Sequence, residues 1–174
     1  MVHQVFYHCP CPDGIFGALS AYLHLQVSLG EQTRFVGHTV YAGEQEIQQH
    51  LDSLHQDDSL FLIDYCGRDG FIVEAARRVR RVVLLDHHKS AAETLDELRA
   101  ASSWPHNLEV VIDMNRSGAT ISWDYFSALN VRETLSLNCG CWAATLTYYF
   151  ALAGDCAGRI EGCPRGEAQF GGGQ

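Results

Sequence analysis

Aspartate and histidine side chains follow several apolar segments of this sequence, and the densest group is Asp86-His87-His88. It stands directly after Val82-Val83-Leu84-Leu85, a run of β-branched and leucine residues that is typical of a buried parallel strand. The residue that ends such a strand lies at the carboxyl edge of the sheet, where open α/β folds place their ligands. Carboxylate and imidazole groups at that edge are costly to desolvate unless a partner or a cation compensates them.

Three other apolar segments lead in the same way into a side chain that can bind a metal. These segments and the residues after them are Val5-Phe6-Tyr7 with His8, Leu60-Phe61-Leu62-Ile63 with Asp64, and Val110-Val111-Ile112 with Asp113. If all four segments are parallel strands of one sheet, these three side chains gather with Asp86 and His87. A single strand that ends in Asp is common, because Asp is a good turn and N-cap residue. Four such endings favour a shared site for manganese, iron or zinc, and the oxygen ligands favour manganese or magnesium.

The rest of the chain predicts the elements that must position these side chains. Apolar residues at three-to-four spacing indicate amphipathic helices between the strands. The alternation of strands and helices without hairpin turns means parallel βαβ units. We therefore predict an α/β fold with a parallel sheet of about five strands flanked by helices. The further elements expected are helices over Ile15–Leu23, Glu44–Leu54, Phe71–Val79 and Ala91–Ala100, a helix through Trp123 and Phe126, and a strand over Thr33–Val40.

Length and composition favour one domain with an appendage. The 174 residues suffice for one α/β domain, which we place at residues 1–135, and are too few for two large ones. A possible extra helix at 136–155 and a disordered tail at 156–174 are expected to follow. No segment approaches the length of apolar residues that a membrane span requires, and no targeting segment is readable. The expected location is therefore the cytoplasm.

Charge and cysteine content narrow the classes of partner. The net charge is −9 and Lys89 is the single lysine, so the basic face of a protein that grips long nucleic acid is missing. A small phosphorylated substrate or a short oligonucleotide fits better. The seven cysteines form an odd count without a signal peptide, which argues for reduced thiols. Zinc bound by the last four, Cys139, Cys141, Cys156 and Cys163, is disfavoured because their spacing lacks the usual C-x2-C pairs.

Two groups of residues have competing interpretations. Arg77, Arg78, Arg80 and Arg81 form either a phosphate patch or, as we prefer, the solvated carboxyl end of a helix, where cations suit the macrodipole. Arg116-Ser117-Gly118 follows Asp113 and precedes a helix. Ser117 is a plausible N-cap, and Gly118 lets a ligand approach the free backbone N–H groups. Ordinary capping would explain Ser117, whereas Arg116 beside the helix start favours phosphate binding.

The four strand-end blocks resemble those of the DHH phosphoesterase superfamily, which includes RecJ-type nucleases, family II pyrophosphatases and small oligonucleotide hydrolases. The blocks are His8–Gly14, Asp64, Asp86–His88 and Asp113–Ala119, and they lie within residues 1–128. The Cys11-Pro12-Asp13-Gly14 sequence is similar to a less studied branch of that superfamily. The resemblance implies a Rossmann-like DHH domain with two divalent ions, typically manganese, with magnesium as the alternative. It implies hydrolysis of a phosphodiester or phosphoanhydride by a hydroxide held between the two ions.

The resemblance also implies a role for each residue. Asp64 would bridge both ions and be the most important for catalysis, and Asp86 would orient the neighbouring imidazole from behind the ligands. His88 would contact the substrate phosphate and take part in catalysis, with Arg116, Ser117 and Gly118 completing the substrate site. The remaining metal ligands would be His8 on one ion and Asp13, His87 and Asp113 on the other.

Two departures from the superfamily pattern leave the activity open. Many members carry an aspartate where Cys11 stands, so one ion loses a carboxylate or gains a thiolate that favours a softer metal. A second domain, called DHHA1, closes over the substrate in relatives, and we expect it to be absent after residue 128. The alternative function is thus a truncated or degenerate DHH domain that binds metal or phosphate with little turnover. A third class of function is a redox or zinc-binding module built on the cysteines. It would account for the C-terminal tail and for no other feature of the sequence.

Overall fold

The computed structural model describes residues 1–39, 43–68 and 70–130, the side chain of the last residue excepted. The helix expected at 136–155, the disordered tail expected at 156–174 and the last four cysteines lie outside these residues. Within them, no helix combines the length and apolar character that crossing a membrane requires.

Five parallel strands form one sheet, which confirms the predicted α/β class. They are β1 His3–His8, β2 Thr33–His38, β3 Ser59–Ile63, β4 Arg81–Asp86 and β5 Leu108–Ile112. Their spatial order is β2-β1-β3-β4-β5, with every neighbouring pair parallel. Strand β2 lies on one side of β1, and β3, β4 and β5 follow on the other side. The direction in which strands are added therefore reverses between β1 and β3. Doubly wound sheets of this order bind ligands at that switch point, beyond the carboxyl ends of the strands.

The helices connect these strands as predicted, with shifts at their ends. They are α1 Pro12–Ala21, continued by a π-helical segment Tyr22–Ser28, then α2 Glu44–Asp52, α3 Phe71–Arg78, α4 Lys89–Ala100 and α5 Gly118–Asn130. Helix α1 begins three residues before the expected Ile15, because proline is well tolerated in the first helical turn. Strand β2 ends at His38, short of the expected Val40. Arg77 and Arg78 occupy the last turn of α3, in agreement with the preferred interpretation of the arginine cluster, whereas Arg80 follows the helix and Arg81 begins β4.

Buried apolar side chains from the central strands hold the helices against the sheet. Phe6, Leu62 and Leu84 belong to a core cluster that also includes residues of α2, α3 and α4. Helices α1 and α5 pack against each other, and Gly17 permits their approach. A Cβ atom at Gly17 would lie 2.4 Å from Ile63 Cγ2 and 2.8 Å from Ser122 Oγ. Small residues in α1 therefore fix this helix close to the sheet.

A fully buried histidine, His38, ends β2. Its ring stacks on Tyr65 with 4.6 Å between centroids and meets the edge of His50 at 4.4 Å. Neither ring nitrogen of His38 has a hydrogen-bond partner among the described residues. Burial, and then the neighbouring His50, lower the pKa of His38 from 6.5 to about 3, so His38 is neutral in the folded protein at neutral pH.

We expect acid to destabilise the fold through His38. Between pH 6.5 and about 3 the unfolded chain binds a proton at this position that the folded protein excludes, so the free energy of unfolding falls as the pH is lowered. At about pH 5 the loss amounts to roughly 2 kcal/mol, at 1.36 kcal/mol per pH unit. His38→Phe keeps a ring against Tyr65 without a titrating nitrogen. The free energy of unfolding, measured with urea at about pH 7.5 and about pH 5, should fall less in the variant than in the wild type, by that amount. An identical fall in both proteins would contradict the lowered pKa of His38.

Candidate metal centre

The carboxyl ends of β1, β3 and β4 bring acids and imidazoles together at the switch point. His8 is the last residue of β1, Asp64 follows β3 directly, and Asp86 is the last residue of β4. His8 Nδ1 lies 3.3 Å from Asp64 Oδ2, although the two residues are far apart in the sequence. The predicted gathering of strand-end side chains therefore holds for these strands.

Asp64 is the centre of this cluster. It is 3% exposed, and its Oδ1 lies 3.1 Å from His87 Nε2 and 3.4 Å from His88 Nδ1. Even so, Oδ1 makes no hydrogen bond within the described part of the chain. Its backbone has a φ of 55°, in the left-handed region where non-glycine residues are uncommon and often functional. A buried carboxylate oxygen without a donor is costly, and a cation between it and the imidazoles would compensate it.

Asp13 reaches the same cluster from the first turn of α1. Its Oδ2 lies 3.4 Å from His87 Nε2. The approach depends on Gly14, because a Cβ atom at this position would lie 2.1 Å from the carbonyl oxygen of His8. Only a residue without a side chain lets the start of α1 lie this close to the end of β1.

Asp86 holds the two histidines that follow it. Its Oδ1 accepts hydrogen bonds from the backbone N–H groups of His87 and His88, at 2.6 Å and 2.9 Å. The same oxygen lies 2.8 Å from His88 Nδ1. Asp86 therefore orients the imidazole ring of His88 directly. It fixes His87 only through the backbone N–H group of that residue.

Removing the Asp86 carboxylate should weaken metal binding without removing a ligand. We expect Asp86→Ala to lower Mn²⁺ affinity by roughly 10–100-fold, the usual effect of losing a partner that orients metal ligands. Asp86→Asn keeps an amide oxygen for the backbone donors and should lose less. Titration followed by the electron paramagnetic resonance of free Mn²⁺ measures both; wild-type affinity in Asp86→Ala would show that the carboxylate does not support the ligands.

Cys11 stands at the N-cap of α1, beside His8 and Asp64. One donor atom from each of these three residues lies within 4.8 Å of the others. Burial raises the pKa of the Cys11 thiol above 9.0, opposed by the backbone N–H groups of Gly14 and Asp13 and reinforced by a hydrogen bond to Asp64. A second group of metal-binding side chains with the same spacing consists of Asp64, His87 and His88.

Asp113 is less closely associated with these groups. Its Oδ1 accepts the backbone N–H of Asn115 at 2.9 Å, within its own turn. Its backbone N–H donates to the Asp86 carbonyl at 3.3 Å, which fixes the end of β5 to β4. Neither of the two ligand groups found among the described residues includes Asp113, so its role as a ligand stays a prediction.

The residues predicted to bind phosphate are occupied with contacts along α5. Ser117 Oγ accepts the backbone N–H of Thr120 at 3.2 Å, which is ordinary N-cap geometry. Arg116 donates to the Thr120 carbonyl at 3.1 Å and pairs with Asp124 at 2.5 Å. For Ser117 the capping alternative is therefore realised. A phosphate contact by Arg116 stays a prediction that requires this ion pair to open.

Gly118 has a role that the sequence pattern did not indicate. A Cβ atom at this position would lie 2.9 Å from Asp64 Oδ1. The missing side chain thus lets the first turn of α5 approach the buried carboxylate. A glycine after an N-cap serine offers no local signal for this contact, because Asp64 is distant in the sequence.

A cavity of about 230 Å³ opens beside the cluster. Its walls include residues that sequence reasoning missed. Burial raises the pKa of Tyr65 to about 12 and that of Cys66 to about 11, so both groups are neutral at neutral pH. The cavity therefore places two uncharged side chains, those of Tyr65 and Cys66, beside the acids and imidazoles of the cluster. Its lining includes His8, Asp64 and His88 of the cluster, together with Ile47, Cys66 and Arg68.

Comparison with known proteins gives structural likeness alone. No family model matches this sequence, and no curated protein matches it. The exonuclease RecJ bound to manganese matches 78% of this chain at 17% sequence identity, with a TM-score of 0.54. The chain is similar in fold to RecJ. An uncharacterised protein from Helicobacter pylori G27 matches 87% of the chain at 16% identity, with a TM-score of 0.53.

This chain spans 34% of the RecJ chain and 42% of the Helicobacter pylori chain. Similarity at such low identity establishes the fold, which agrees with the DHH-like fold that the sequence resemblance implies. The superfamily branch, the activity and the metal ions of this chain are therefore inferred from its own residues.

Proposed function

We propose that this chain is a metal-dependent phosphoesterase that hydrolyses a phosphodiester or phosphoanhydride. The observation that carries the proposal is the buried Asp64 carboxylate at the switch point, close to three imidazoles and with an oxygen that lacks a hydrogen-bond donor. Two groups of potential ligands meet at Asp64, as expected for two divalent ions that share this carboxylate; within the second group, His87 is proposed as the ligand and His88 as the substrate contact. When bound, such ions lower the pKa of a coordinated water and offset charge on the phosphoryl oxygens.

The side chains of the site would bind either the ions or the substrate. Asp64 would contact both ions, with His8 on one side and Asp13, His87 and Asp113 on the other. Because His88 Nδ1 contacts Asp86, Nε2 is the ring atom that would contact a phosphoryl oxygen. Gly118 and the start of α5 would complete the substrate site, with Arg116 contributing if it leaves Asp124.

The identities of the ion and the substrate are part of the proposal. Manganese is the first candidate, with magnesium as the alternative, because Asp13 and Asp64 supply oxygen ligands and the structurally similar RecJ was solved with manganese. The cavity of about 230 Å³ is smaller than the 300–1,000 Å³ typical of ligand pockets. With a net charge of −9, a small phosphorylated molecule or the end of a short oligonucleotide fits better than long nucleic acid.

A second candidate function is metal or phosphate binding with little turnover. The pairing of Arg116 with Asp124 favours it, because the ion pair withdraws a cation that would otherwise offset charge on the phosphoryl group.

Hydrolysis assays separate the two candidates. The full chain, stripped with a chelator and reloaded with Mn²⁺, is assayed for p-nitrophenol release from bis(p-nitrophenyl) phosphate and for cleavage of pyrophosphate and short oligonucleotides. Turnover that requires Mn²⁺ and disappears with the chelator supports the phosphoesterase. Saturable Mn²⁺ binding without turnover on any of these substrates supports the binding protein and overturns the enzyme.

A further inference from the structure

The two ligand groups that share Asp64 differ in chemistry. The group of His8, Cys11 and Asp64 offers one nitrogen, one sulfur and one oxygen donor. The group of Asp64, His87 and His88 offers nitrogen and oxygen only, and a further carboxylate, that of Asp13, lies 3.4 Å from His87. Thiolate and imidazole suit zinc and other borderline ions, whereas carboxylate-rich sites suit manganese and magnesium.

The local fold holds Cys11 in this position. The residue has an extended backbone, with φ −148° and ψ 131°, as expected before a proline. Pro12 then starts α1, and the close contact of Gly14 with the His8 carbonyl fixes the helix start against the end of β1. Cys11 is therefore a half-buried residue of a constrained segment, and its sulfur lies beside His8 because the backbone places it there.

A separate observation indicates that a cation belongs beside Asp64, the residue that the two groups share. Asp64 is 3% exposed; its Oδ2 lies 3.3 Å from His8 Nδ1, and its Oδ1, 3.1 Å from His87 Nε2, has no hydrogen-bond partner within the described residues. The Cys11 thiol hydrogen-bonds Asp64, so a cation held by this carboxylate would lie within reach of the sulfur.

We propose that the Cys11 thiolate is a ligand of the ion held by His8, and that this position selects zinc, iron(II) or cobalt(II) over manganese. The inference rests on the proposed two-ion site and refines it into an asymmetric pair, with a thiolate-bound ion beside a harder one. On binding, the S–H bond breaks, a sulfur–metal bond forms and the proton leaves to solvent. No electron is transferred.

Cobalt(II) gives a direct test that does not depend on activity. Thiolate bound to Co²⁺ produces a charge-transfer band in the near ultraviolet, which nitrogen and oxygen ligands do not produce. The full chain, stripped of metal, is titrated with Co²⁺ alone. We expect a band that saturates with one bound ion, disappears in Cys11→Ser and Cys11→Asp, and persists in Cys66→Ser. We also expect Zn²⁺ to abolish the band at concentrations at which Mn²⁺ does not.

Four further cysteines at 139, 141, 156 and 163 could bind cobalt independently. The titrations are therefore repeated in a chain with serine at these four positions, and the band is read as the difference between that chain and its Cys11→Ser derivative. Circular dichroism confirms that each variant is folded, and the Cys11→Asp variant supplies a second test if the serine variant is not. In Cys11→Asp we expect Mn²⁺ affinity to rise by roughly tenfold, as a hard ligand replaces a soft one.

The outcomes separate this inference from the proposed function. If the wild-type chain binds neither Co²⁺ nor Mn²⁺, both are overturned. If Co²⁺ binds without the charge-transfer band, or if the band survives in Cys11→Asp, the thiolate ligand is overturned while the two-ion site stands. If Mn²⁺ displaces Co²⁺ as readily as Zn²⁺ does, the selectivity is overturned.

Discussion

Asp64→Asn is expected to reduce Mn²⁺-dependent hydrolysis by more than about a hundredfold, to the level without added metal. Changing a residue that merely orients a metal ligand already costs 10–100-fold, and Asp64 is proposed to contact both ions. The amide keeps the shape of the side chain but loses the charge that two cations would share. The measurement is the rate of p-nitrophenol release at saturating Mn²⁺, together with an Mn²⁺ titration of the variant.

Asp58→Asn is the matched control for this substitution. Asp58 is equally buried, at 3% exposure, and its carboxylate accepts hydrogen bonds from the backbone N–H of Val2 at 2.9 Å and from Gln4 Nε2 at 3.3 Å. Its loss should lower the free energy of unfolding by about 1–3 kcal/mol while hydrolysis stays at the wild-type rate. Comparable turnover in Asp64→Asn and wild type would exclude the two-ion assignment.

The strands and their endings were predictable because a buried parallel strand is a local pattern. Leu60–Ile63 before Asp64, and Val82–Leu85 before Asp86, are apolar on both faces, and the structure buries all of these strand residues completely or nearly so. The sequence also predicts that the strands are parallel. It does not predict the order β2-β1-β3-β4-β5, which depends on how the helices pack and which places the switch point between His8 and Asp64.

The parts that sequence reasoning missed are contacts between distant elements. The approach of Gly118 to Asp64 joins β3 to α5 and has no local signature. The stack of His38 on Tyr65 likewise joins β2 to the loop after β3. Arg116 differs, because a local pattern predicts a phosphate contact while its side chain pairs with Asp124, eight residues further along the chain. The phosphate contact stays a prediction. Residue type and spacing predict which groups can act, and long-range packing decides which groups meet.

A second large effect is expected from Gly14→Ala, this time on stability. Helix propensity alone predicts that alanine in place of a helical glycine stabilises the protein by up to about 1 kcal/mol. The structure predicts the opposite sign, because the new Cβ atom would lie 2.1 Å from the His8 carbonyl oxygen and 2.9 Å from its backbone nitrogen. Overpacking of this kind costs about 1–3 kcal/mol and more where backbone must move, so we expect the free energy of unfolding to fall by at least about 3 kcal/mol.

Gly43→Ala provides the control, because Gly43 precedes α2 with a φ of −73° and a Cβ atom there would meet nothing within 4 Å. Its cost should stay at about 1 kcal/mol or less, because Gly43 is the N-cap of α2 and alanine is a weaker N-cap than glycine. Urea unfolding of both variants decides the sign. Because the shift of α1 away from β1 also moves Asp13 and Cys11, Gly14→Ala should weaken Mn²⁺ and Co²⁺ binding together under conditions in which it is still folded. A stabilised Gly14→Ala protein would show that the start of α1 does not lie against the end of β1, and the candidate centre built on that contact would fall with it.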